Sequence, residues 1–308
     1  MKIVLITAIG GDVSQSVASV IKESCPDIRL IGTDINFEHA GSLFVNELLQ
    51  VPKASSIRYL EKMREIIKSY SVDLVIPISE PELSVFKPLI DELGKQRCIT
   101  AGQSILDIGL DKLKTAMAIK SLGIAIPWSV SADTQSPIEF PCILKSCRGA
   151  GSKNVFVVEN NEEAIFLARK FPNSIFQELL EPADKEVTCA VYRRKDGQTA
   201  VLQLLRKLTS GYTSWAKVIN DRATLDMCKA IAKGLNLNGS INIQLRLTKN
   251  GPRVFEINPR FSSTALMRHR IGFSDVLWAI DEAEGKVIDF PDIATVECMV
   301  RVDDTKNI

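Results

Sequence analysis

The stretch that decides the fold is residues 240–260, SINIQLRLTKNGPRVFEINPR, which alternates apolar and polar residues in two runs. Such alternation predicts two strands that each bury one face and pair as a hairpin. The polar faces carry Gln244 on the first strand and Glu256 and Asn258 on the second. Carboxylate and amide oxygens suit Mg²⁺, with Mn²⁺ as an alternative ion, so these three residues are the candidate metal ligands. An exposed polar sheet face is the alternative for each residue taken alone.

The turn of this hairpin decides whether the candidate ligands share a face. A two-residue turn at 250–251 would turn Glu256 away from Gln244, because side chains alternate along a strand. Pro252 lacks the backbone donor that the tightest turns use. We therefore predict a three-residue loop, 249–251, with its glycine in the left-handed region.

Basic residues flank the candidate metal site in the sequence. Arg260 follows the second strand, where its guanidinium could stabilise a phosphoryl group during transfer. Lys145 ends an apolar strand just before RGAGSK, residues 148–153. The backbone N–H groups of such a loop can close over phosphates, although the sequence is not a Walker A motif. A tight surface hairpin is the alternative interpretation.

An extended segment, residues 177–182, connects these two parts of the chain. Its backbone edge could hydrogen-bond to an adenine, and the carboxylate of Glu186 farther along could hold ribose hydroxyls. An ordinary strand followed by a loop would have the same sequence pattern.

The first hundred residues alternate apolar runs with amphipathic stretches, which is typical of a parallel, doubly wound sheet. The first turn, at residues 10–11, lacks the G-x-G-x-x-G fingerprint, although Asp34 follows the second run as a ribose-binding acid would. We expect a Rossmann-like shape, and a nicotinamide-dependent oxidoreductase is the disfavoured alternative. Ser79, Glu80 and Glu82 follow the third strand, where they are either substrate contacts or solvated polar residues.

The composition excludes several classes of protein. With 38 Lys and Arg against 37 Asp and Glu, the 308-residue chain has a net charge of +1. Neither nucleic acid nor a membrane is therefore an expected partner, and no apolar run is long enough to span a bilayer. The seven scattered Cys contain no C-x-x-C pair and are expected to be reduced core thiols of a cytoplasmic protein. The two His leave little room for a His-rich metal site.

The order of these motifs resembles the ATP-grasp superfamily, in particular its carbamoyl-phosphate-synthetase large-chain type. The motifs that carry the resemblance are, in chain order, Asp111-Lys112, PCILKS with Lys145, RGAGSK, FQELL, Glu186, INIQL and VFEINPR. The resemblance implies an α/β and α+β protein in which a Rossmann-like N-terminal domain precedes a two-lobed ATP-grasp fold. The implied domains are 1–105, 106–180 with the glycine-rich lid, and 181–308 with the metal site.

The resemblance also implies ATP bound between the two lobes, with roles for individual residues. Phosphate contacts are implied for Lys112, Lys145, Arg148, Gly149, Gly151 and Ser152. Contacts to adenine and ribose are implied for Gln177, Glu178, Leu179, Leu180 and Glu186. Magnesium would bind Gln244, Glu256 and Asn258, and the catalytic groups would be Lys145, Asn258 and Arg260, with Arg206 or Lys207 near the γ-phosphate.

The chemistry implied by the resemblance is ATP-dependent ligation of a small carboxylate to an amine or a thiol. The carboxylate would become an acyl phosphate, and ADP and phosphate would be released. Activation of bicarbonate or carbamate, and a non-catalytic nucleotide-binding module, are the alternatives; a homodimer is allowed. Six residues just after the metal site either help to bind the carboxylate or form a helix start with surface charge: Ser262, Ser263, Thr264, Arg268, His269 and Arg270.

Overall fold

The computed structural model describes residues 1–149, 154–209, 211–293 and 298–302, and within them it contains three β-sheets. The predicted lid residues Gly151 and Ser152 lie outside the described residues. No helix in the described ranges has both the length and the apolar character needed to cross a bilayer.

The N-terminal sheet is parallel, as predicted, with four strands in the order β3-β2-β1-β4. Its strands are β1 (Ile3–Thr7), β2 (Arg29–Asp34), β3 (Glu47–Gln50) and β4 (Leu74–Ile76). The helices around it are α1 (Asp12–Ser24), α2 (Tyr59–Ser69), α3 (Glu80–Leu83) and α4 (Lys87–Leu93). Residues 4–6 of β1 are fully buried, because helices cover both faces of the sheet.

Two helices lead out of this sheet, α5 (Gln103–Gly109) and α6 (Lys112–Ser121). Asp111 caps α6, since its carboxylate accepts hydrogen bonds from the amides of Leu113 and Lys114, both at 3.1 Å. This cap places Lys112 in the first turn of the helix, at the edge of the next sheet.

The second sheet is antiparallel, in the order β5-β8-β6-β7. Its strands are β5 (Ser129–Ser131), β6 (Cys142–Ser146), β7 (Val155–Val158) and β8 (Ser174–Glu178), and α7 (Asn161–Lys170) packs against it. One face buries Cys142, Leu144 and Phe176 with helix α7. The other face carries Lys145 and Gln177 and faces a cavity.

The third sheet is antiparallel and has six strands, in the order β13-β12-β9-β10-β11-β14. They are β9 (Glu186–Arg193), β10 (Thr199–Thr209), β11 (Tyr212–Ile219), β12 (Gly239–Thr248), β13 (Gly251–Asn258) and β14 (Met299–Val300). The accompanying helices are α8 (Arg222–Gly234), α9 (Ala265–His269) and α10 (Asp275–Ala283). The fold class predicted from the sequence is therefore confirmed, whereas the domain boundaries at 105 and 180 stay predictions.

The hairpin of β12 and β13 reaches the predicted pairing by a different route. Gln244 does pair with Glu256, so both side chains share a face. The three-residue loop was wrong, however, because Thr248 pairs with Gly251 across a two-residue turn. The register shifts instead at a β-bulge, where Phe255 is the extra residue. One extra residue, whether in the loop or in a bulge, moves the Glu256 side chain to the other face of the sheet. The alternation of residue types alone therefore could not distinguish a longer loop from a bulge.

Candidate active site

A cavity of about 890 Å³ lies where the three sheets meet. It is lined by these residues predicted to contact ATP or magnesium or to act in catalysis: Lys112, Lys145, Arg148, Gly149, Gln177, Glu178, Leu179, Leu180, Glu186, Gln244, Glu256, Asn258 and Arg260. Residues that are more than a hundred positions apart in the chain are thus brought to one place.

Lys145 projects into this cavity from the end of β6. Its Nζ lies 3.4 Å from the carbonyl oxygen of Phe255 and 5.3 Å from the centre of the same residue's ring. Burial lowers the pKa of Lys145 to about 8, and the nearby charge of Glu256 opposes this shift. The side chain is therefore still mostly an ammonium at neutral pH, but it is close to titration.

Lys112 links helix α6 to the base of the glycine loop. Its Nζ donates a 2.7 Å hydrogen bond to the carbonyl oxygen of Gly149 and lies 3.4 Å from Oε1 of Glu256. Its backbone N–H donates to the carbonyl oxygen of Cys147, whose Sγ donates to the helix-capping Asp111 at 3.1 Å. The position of Lys112 thus depends on both the helix cap and the loop.

Glu256 is the acidic centre of this basic cluster. Burial opposes its charge, but Lys112, Lys145 and Arg260 outweigh that effect and hold the pKa of the carboxyl below its ordinary value. Asn258 is buried, and its Oδ1 accepts a 3.3 Å hydrogen bond from Nη2 of Arg260. The carboxylate is therefore ionised at neutral pH and is surrounded by positive groups.

The candidate metal ligands offer one carboxylate and two amide side chains on paired strands. Among the described residues, no group of three or more His, Cys, Asp or Glu side chains could hold a metal ion. Mg²⁺ commonly takes only one or two protein carboxylates and completes its shell with water and phosphate oxygens. The set of Gln244, Glu256 and Asn258 fits such an ion when a phosphate is also present.

The two carboxylates predicted near adenine and ribose are both held by arginines. Glu178 accepts from Arg253 at 2.8 Å, and its Oε2 also accepts from the amide of Trp128 at 3.1 Å. Glu186 accepts from Arg206, at 2.6 and 3.0 Å, and from Arg246, at 3.0 Å. Both oxygens of Glu186 and Oε2 of Glu178 are already engaged, so the two carboxylates hold neighbouring arginines in place, and direct contact with a nucleotide stays a prediction.

Sequence reasoning missed most of this arginine network. Arg246 also donates a 2.7 Å hydrogen bond to the carbonyl oxygen of Leu180 in the linker, and so ties β12 to it. The available signal was alternation, which puts Arg246 on the same face as Gln244. No comparable signal identifies Arg253 as the partner of Glu178, since their contact is tertiary.

The polar residues after β4 divide into two kinds. Ser79 and Glu80 line the cavity, and Oε1 of Glu80 lies 3.7 Å from Nη2 of Arg260. Glu82 is buried and accepts hydrogen bonds from the hydroxyls of Thr7, Tyr59 and Ser79, at 2.6–2.8 Å. Glu82 is therefore neither a solvated residue nor part of the cavity lining; it ties the ends of β1 and β4 together.

Asp34 also has a local structural role. Its carboxylate accepts hydrogen bonds from the amides of Gly10 at 2.8 Å and Ile35 at 2.7 Å. A Cβ added at Gly10 would lie 3.0 Å from the same carboxylate, so the turn packs tightly against it. These contacts give Asp34 a structural role that does not require a bound dinucleotide.

The residues after Arg260 also separate into two sets. Ser262 and Ser263 line the cavity. Arg268 is fully buried and pairs with Asp275 at 2.6 Å, so it is neither a cavity residue nor a surface charge. His269 hydrogen-bonds to Ser24 and Ser274, and Arg270 pairs with Glu23, so neither faces the cavity.

Comparisons with known proteins agree with this architecture. The carbamoyl-phosphate synthase of Methanobrevibacter smithii is 21% identical over 293 residues, covering 88% of this chain and 75% of that protein. The N5-carboxyaminoimidazole synthetase of Staphylococcus aureus, in complex with ADP, shares the fold with a TM-score of 0.76 at 16% identity over 94% of this chain and 78% of its own. The L-amino acid ligase of Bacillus licheniformis gives a TM-score of 0.70 at 15% identity over 92% and 74%.

The family models match the two parts of the chain separately. Residues 4–100 match the PylC-like N-terminal domain, and residues 110–264 match the ATP-grasp domain. The second match covers half of the chain and contains all of the residues predicted to bind ATP or magnesium. The resemblance read from the motifs is confirmed, and the chain belongs to the ATP-grasp family, with a PylC-like N-terminal domain.

Proposed function

We propose that this chain uses ATP to activate a small carboxylate as an acyl phosphate and then joins it to an amine. The observation that carries this proposal is the cluster of Lys112, Lys145 and Arg260 around Glu256 inside one cavity. Phosphoryl transfer relies on positioned cations that offset the charge of the transferring group. The ligases among its structural relatives support an enzyme of the same type.

The nucleotide would lie between the second and third sheets. The linker residues Gln177, Glu178, Leu179 and Leu180 would border the adenine, and Lys112 and Lys145 would meet the phosphates. Arg148 and Gly149 would cover the phosphates from the base of the lid. The related synthetase from S. aureus was solved in complex with ADP, which supports a nucleotide as the ligand of this fold.

Mg²⁺ would be held by Gln244, Glu256 and Asn258, and when bound it would supply positive charge that neutralises phosphate oxygens. The chain's own residues would do the remaining work. The ionised Glu256 orients Lys112, and Asn258 orients Arg260, because each pair is already in contact.

The reaction would proceed in two steps. A carboxylate oxygen attacks the γ-phosphorus of ATP, ADP leaves, and Arg260 offsets charge on the phosphoryl group. The neutral amine then attacks the carbonyl carbon, the bond from that carbon to the phosphate oxygen breaks with its electron pair staying on phosphate, and the nitrogen gives up a proton to the released phosphate. This order makes chemical sense, because phosphate is a far better leaving group than oxide.

Bicarbonate or carbamate activation is the second candidate, supported by the similarity to a carbamoyl-phosphate synthase. The cavity is also lined by Ser14 and Pro81 of the N-terminal domain, so its wall extends beyond the residues assigned to ATP and magnesium. This extension favours a larger carboxylate. A thiol in place of the amine, and a non-catalytic nucleotide-binding module, stay as alternatives.

The test follows oxygen atoms through the reaction. A panel of ¹⁸O-labelled carboxylates is incubated with amines, ATP and Mg²⁺, and ADP, AMP and labelled phosphate are measured. We expect one ¹⁸O to be transferred from the carboxylate to the released phosphate. This transfer should be lost in Glu256→Gln and kept in the exposed control Glu162→Gln. Release of AMP would contradict the acyl-phosphate route, and tight ATP binding without turnover would favour the non-catalytic module.

A further inference from the structure

The backbone just after Arg260 is held by hydrogen bonds to its carbonyl oxygens. The carbonyl of Phe261 accepts a 3.0 Å hydrogen bond from Nη1 of Arg260 itself. Those of Ser262 and Thr264 accept from amides of the following helix, α9, both at 2.9 Å. The carbonyl of Ser263 is held differently, by a side chain that lies 38 residues farther along the chain. One tie of this segment therefore depends on tertiary structure.

That side chain belongs to Arg301, whose Nη2 donates to the carbonyl oxygen of Ser263 at 2.8 Å. The backbone of Arg301 is fixed as well, because β14 pairs with β11 and the Arg301 amide donates to the carbonyl oxygen of Ser214 at 2.9 Å. The guanidinium lies over the ring of Tyr212, with its carbon 4.8 Å from the ring centre. A planar guanidinium stacked on a ring directs its N–H groups along fixed lines.

The contacts of Arg301 join three parts of the chain beside the cavity. Tyr212 begins β11, whereas Ser263 follows β13 and lines the cavity. Asp12, another lining residue, begins α1, and its Oδ2 lies 3.9 Å from Nη1 of Arg301. The Arg301 side chain is only 22% exposed, and it does not line the cavity itself. Any effect of Arg301 on a ligand must therefore pass through a neighbouring residue.

Arg260 is the neighbouring residue best placed to transmit such an effect. Its guanidinium donates to Oδ1 of Asn258 at 3.3 Å and to the carbonyl oxygen of Phe261 at 3.0 Å. The carbonyls of Phe261 and Ser263 are two residues apart in one segment. Because each peptide unit is rigid and planar, a shift of the carbonyl that Arg301 holds displaces the carbonyl that Arg260 uses.

We propose that Arg301 is a positioning residue that holds the Arg260 guanidinium in place for the γ-phosphoryl group. This inference rests on the proposed function, in which Arg260 offsets charge on that group. It goes further by assigning a role in the same site to a residue that does not line the cavity. An arginine stabilises a phosphoryl group best when its N–H groups are already aimed at the phosphate oxygens before transfer. Arg301 fixes the segment, and the segment fixes the direction of the Arg260 side chain.

The first experiment measures how strongly the protein prefers a nucleoside triphosphate to a diphosphate. Calorimetry with Mg²⁺ gives the dissociation constants of ADP and of AMP-PNP, a non-hydrolysable ATP analogue, and their ratio is the preference. Arg260→Met should lower the preference about tenfold, because a charge-assisted contact to the γ-phosphate is lost. Arg301→Met should lower it about threefold or more. The exposed control Arg222→Met should leave it unchanged.

The ratio separates positioning from a general structural defect. A general defect would weaken ADP and AMP-PNP equally and leave their ratio unchanged, so an unchanged ratio in Arg301→Met would overturn the proposal. Arg301→Lys keeps the positive charge and a donor for the Ser263 carbonyl, and it should recover most of the preference. A preference in Arg301→Lys as low as in Arg301→Met would also count against the proposal.

A double variant tests whether Arg301 acts through Arg260. The protein that carries both Arg260→Met and Arg301→Met should show the same preference as Arg260→Met alone, since no guanidinium is left to position. Losses that multiply in the double variant would mean that the two arginines act independently. That outcome would overturn the proposal.

Hydrogen exchange keeps this inference separate from the proposed function, because it needs no nucleotide. The amides of residues 261–266 should exchange faster in Arg301→Met than in the wild type, and at the wild-type rate in Arg222→Met. Unchanged exchange in Arg301→Met would overturn the inference even where ADP binds normally. Absence of ADP binding to the wild-type protein would overturn the proposed function itself, whatever the exchange rates are.

Discussion

At the scale of single residues, Lys112 holds the most consequential position in the site. Its ammonium group is shared between the carbonyl oxygen of Gly149 and the carboxylate of Glu256. A phosphate would compete for this ammonium, and a metal ion would compete for Glu256. Nucleotide and metal binding should therefore be coupled through one side chain.

Replacing Lys112 separates these two effects. In Lys112→Met, ADP should bind about tenfold or more weakly, because a charge-assisted contact to phosphate is lost. Mn²⁺ should bind more tightly in the absence of nucleotide, because Glu256 no longer has a competing cation. Calorimetry measures the first effect and electron paramagnetic resonance of Mn²⁺ the second. The exposed Lys114→Met is the control, and weaker Mn²⁺ binding in Lys112→Met would contradict the model.

Lys145 adds a dependence on pH. Its pKa of about 8 means that the ammonium form dominates below that pH and is lost above it. If Lys145 contacts phosphate as proposed, ADP will bind the ammonium form, so affinity measured without metal should be constant near pH 7 and should fall above pH 8, by up to tenfold per pH unit. In Lys145→Arg the guanidinium stays charged, and the fall should disappear. Affinity that is unchanged in the wild type from pH 7 to pH 10 would refute this role.

At the scale of elements, the cap of helix α6 controls the base of the lid. Asp111 accepts from two helix amides, and it also accepts from Cys147 next to the glycine loop. One carboxylate thus fixes both the start of the helix and the end of the strand that flank Lys112.

Asp111→Ala should lower the free energy of unfolding by about 1 kcal/mol through the lost cap, and should also weaken ADP binding. Asp111→Ser keeps a capping oxygen and should recover most of the stability. Urea unfolding and calorimetry with ADP check the two expectations. Full ADP affinity in Asp111→Ala would show that the lid base does not depend on the cap.

The hairpin of β12 and β13 shows how far element-level prediction reaches. Alternation correctly put Gln244 and Glu256 on one face, because burial of the opposite face demands it. The bulge at Phe255 was missed, since its apolar side chain fits the alternation of either strand geometry. A β-bulge, which twists the strand locally, takes the place of the predicted loop, and no residue type marks its position in the sequence.

At the scale of the whole molecule, the N-terminal domain and the ATP-grasp part share one hydrophobic core. Val17 and Ile21 of α1 belong to the same buried cluster as Phe273, Val276 and Trp278 around α10. This shared packing holds the N-terminal domain against the ATP-grasp part of the chain.

A buried ion pair lies beside this shared core. Arg268 and Asp275 are both fully buried, and Ser240 of β12 also donates to Asp275. Burial raises the pKa of Asp275 and Arg268 opposes that rise, so the carboxyl depends on its partner. Arg268→Ala should therefore lower the free energy of unfolding by about 3–5 kcal/mol.

The double variant Arg268→Met with Asp275→Leu should recover much of that loss, because no unpaired buried charge remains. Urea unfolding followed by circular dichroism measures all three proteins. ADP affinity of the folded double variant should match the wild type, since neither residue lines the cavity. Equal stability of the single and double variants would argue against an electrostatic origin.

The sequence by itself determined which sheets are parallel or mixed with helices, which Lys and Arg side chains are candidates for the site, and which residues are candidate metal ligands. It could do so because alternation of residue types and short motifs are local properties of the chain. It could not determine that Glu82 is internal while Glu80 faces the cavity, or that Glu178 and Glu186 are held by arginines. Those outcomes depend on which distant strands and helices come to lie opposite each carboxylate. The tertiary structure alone therefore decided which charges are free to meet a substrate.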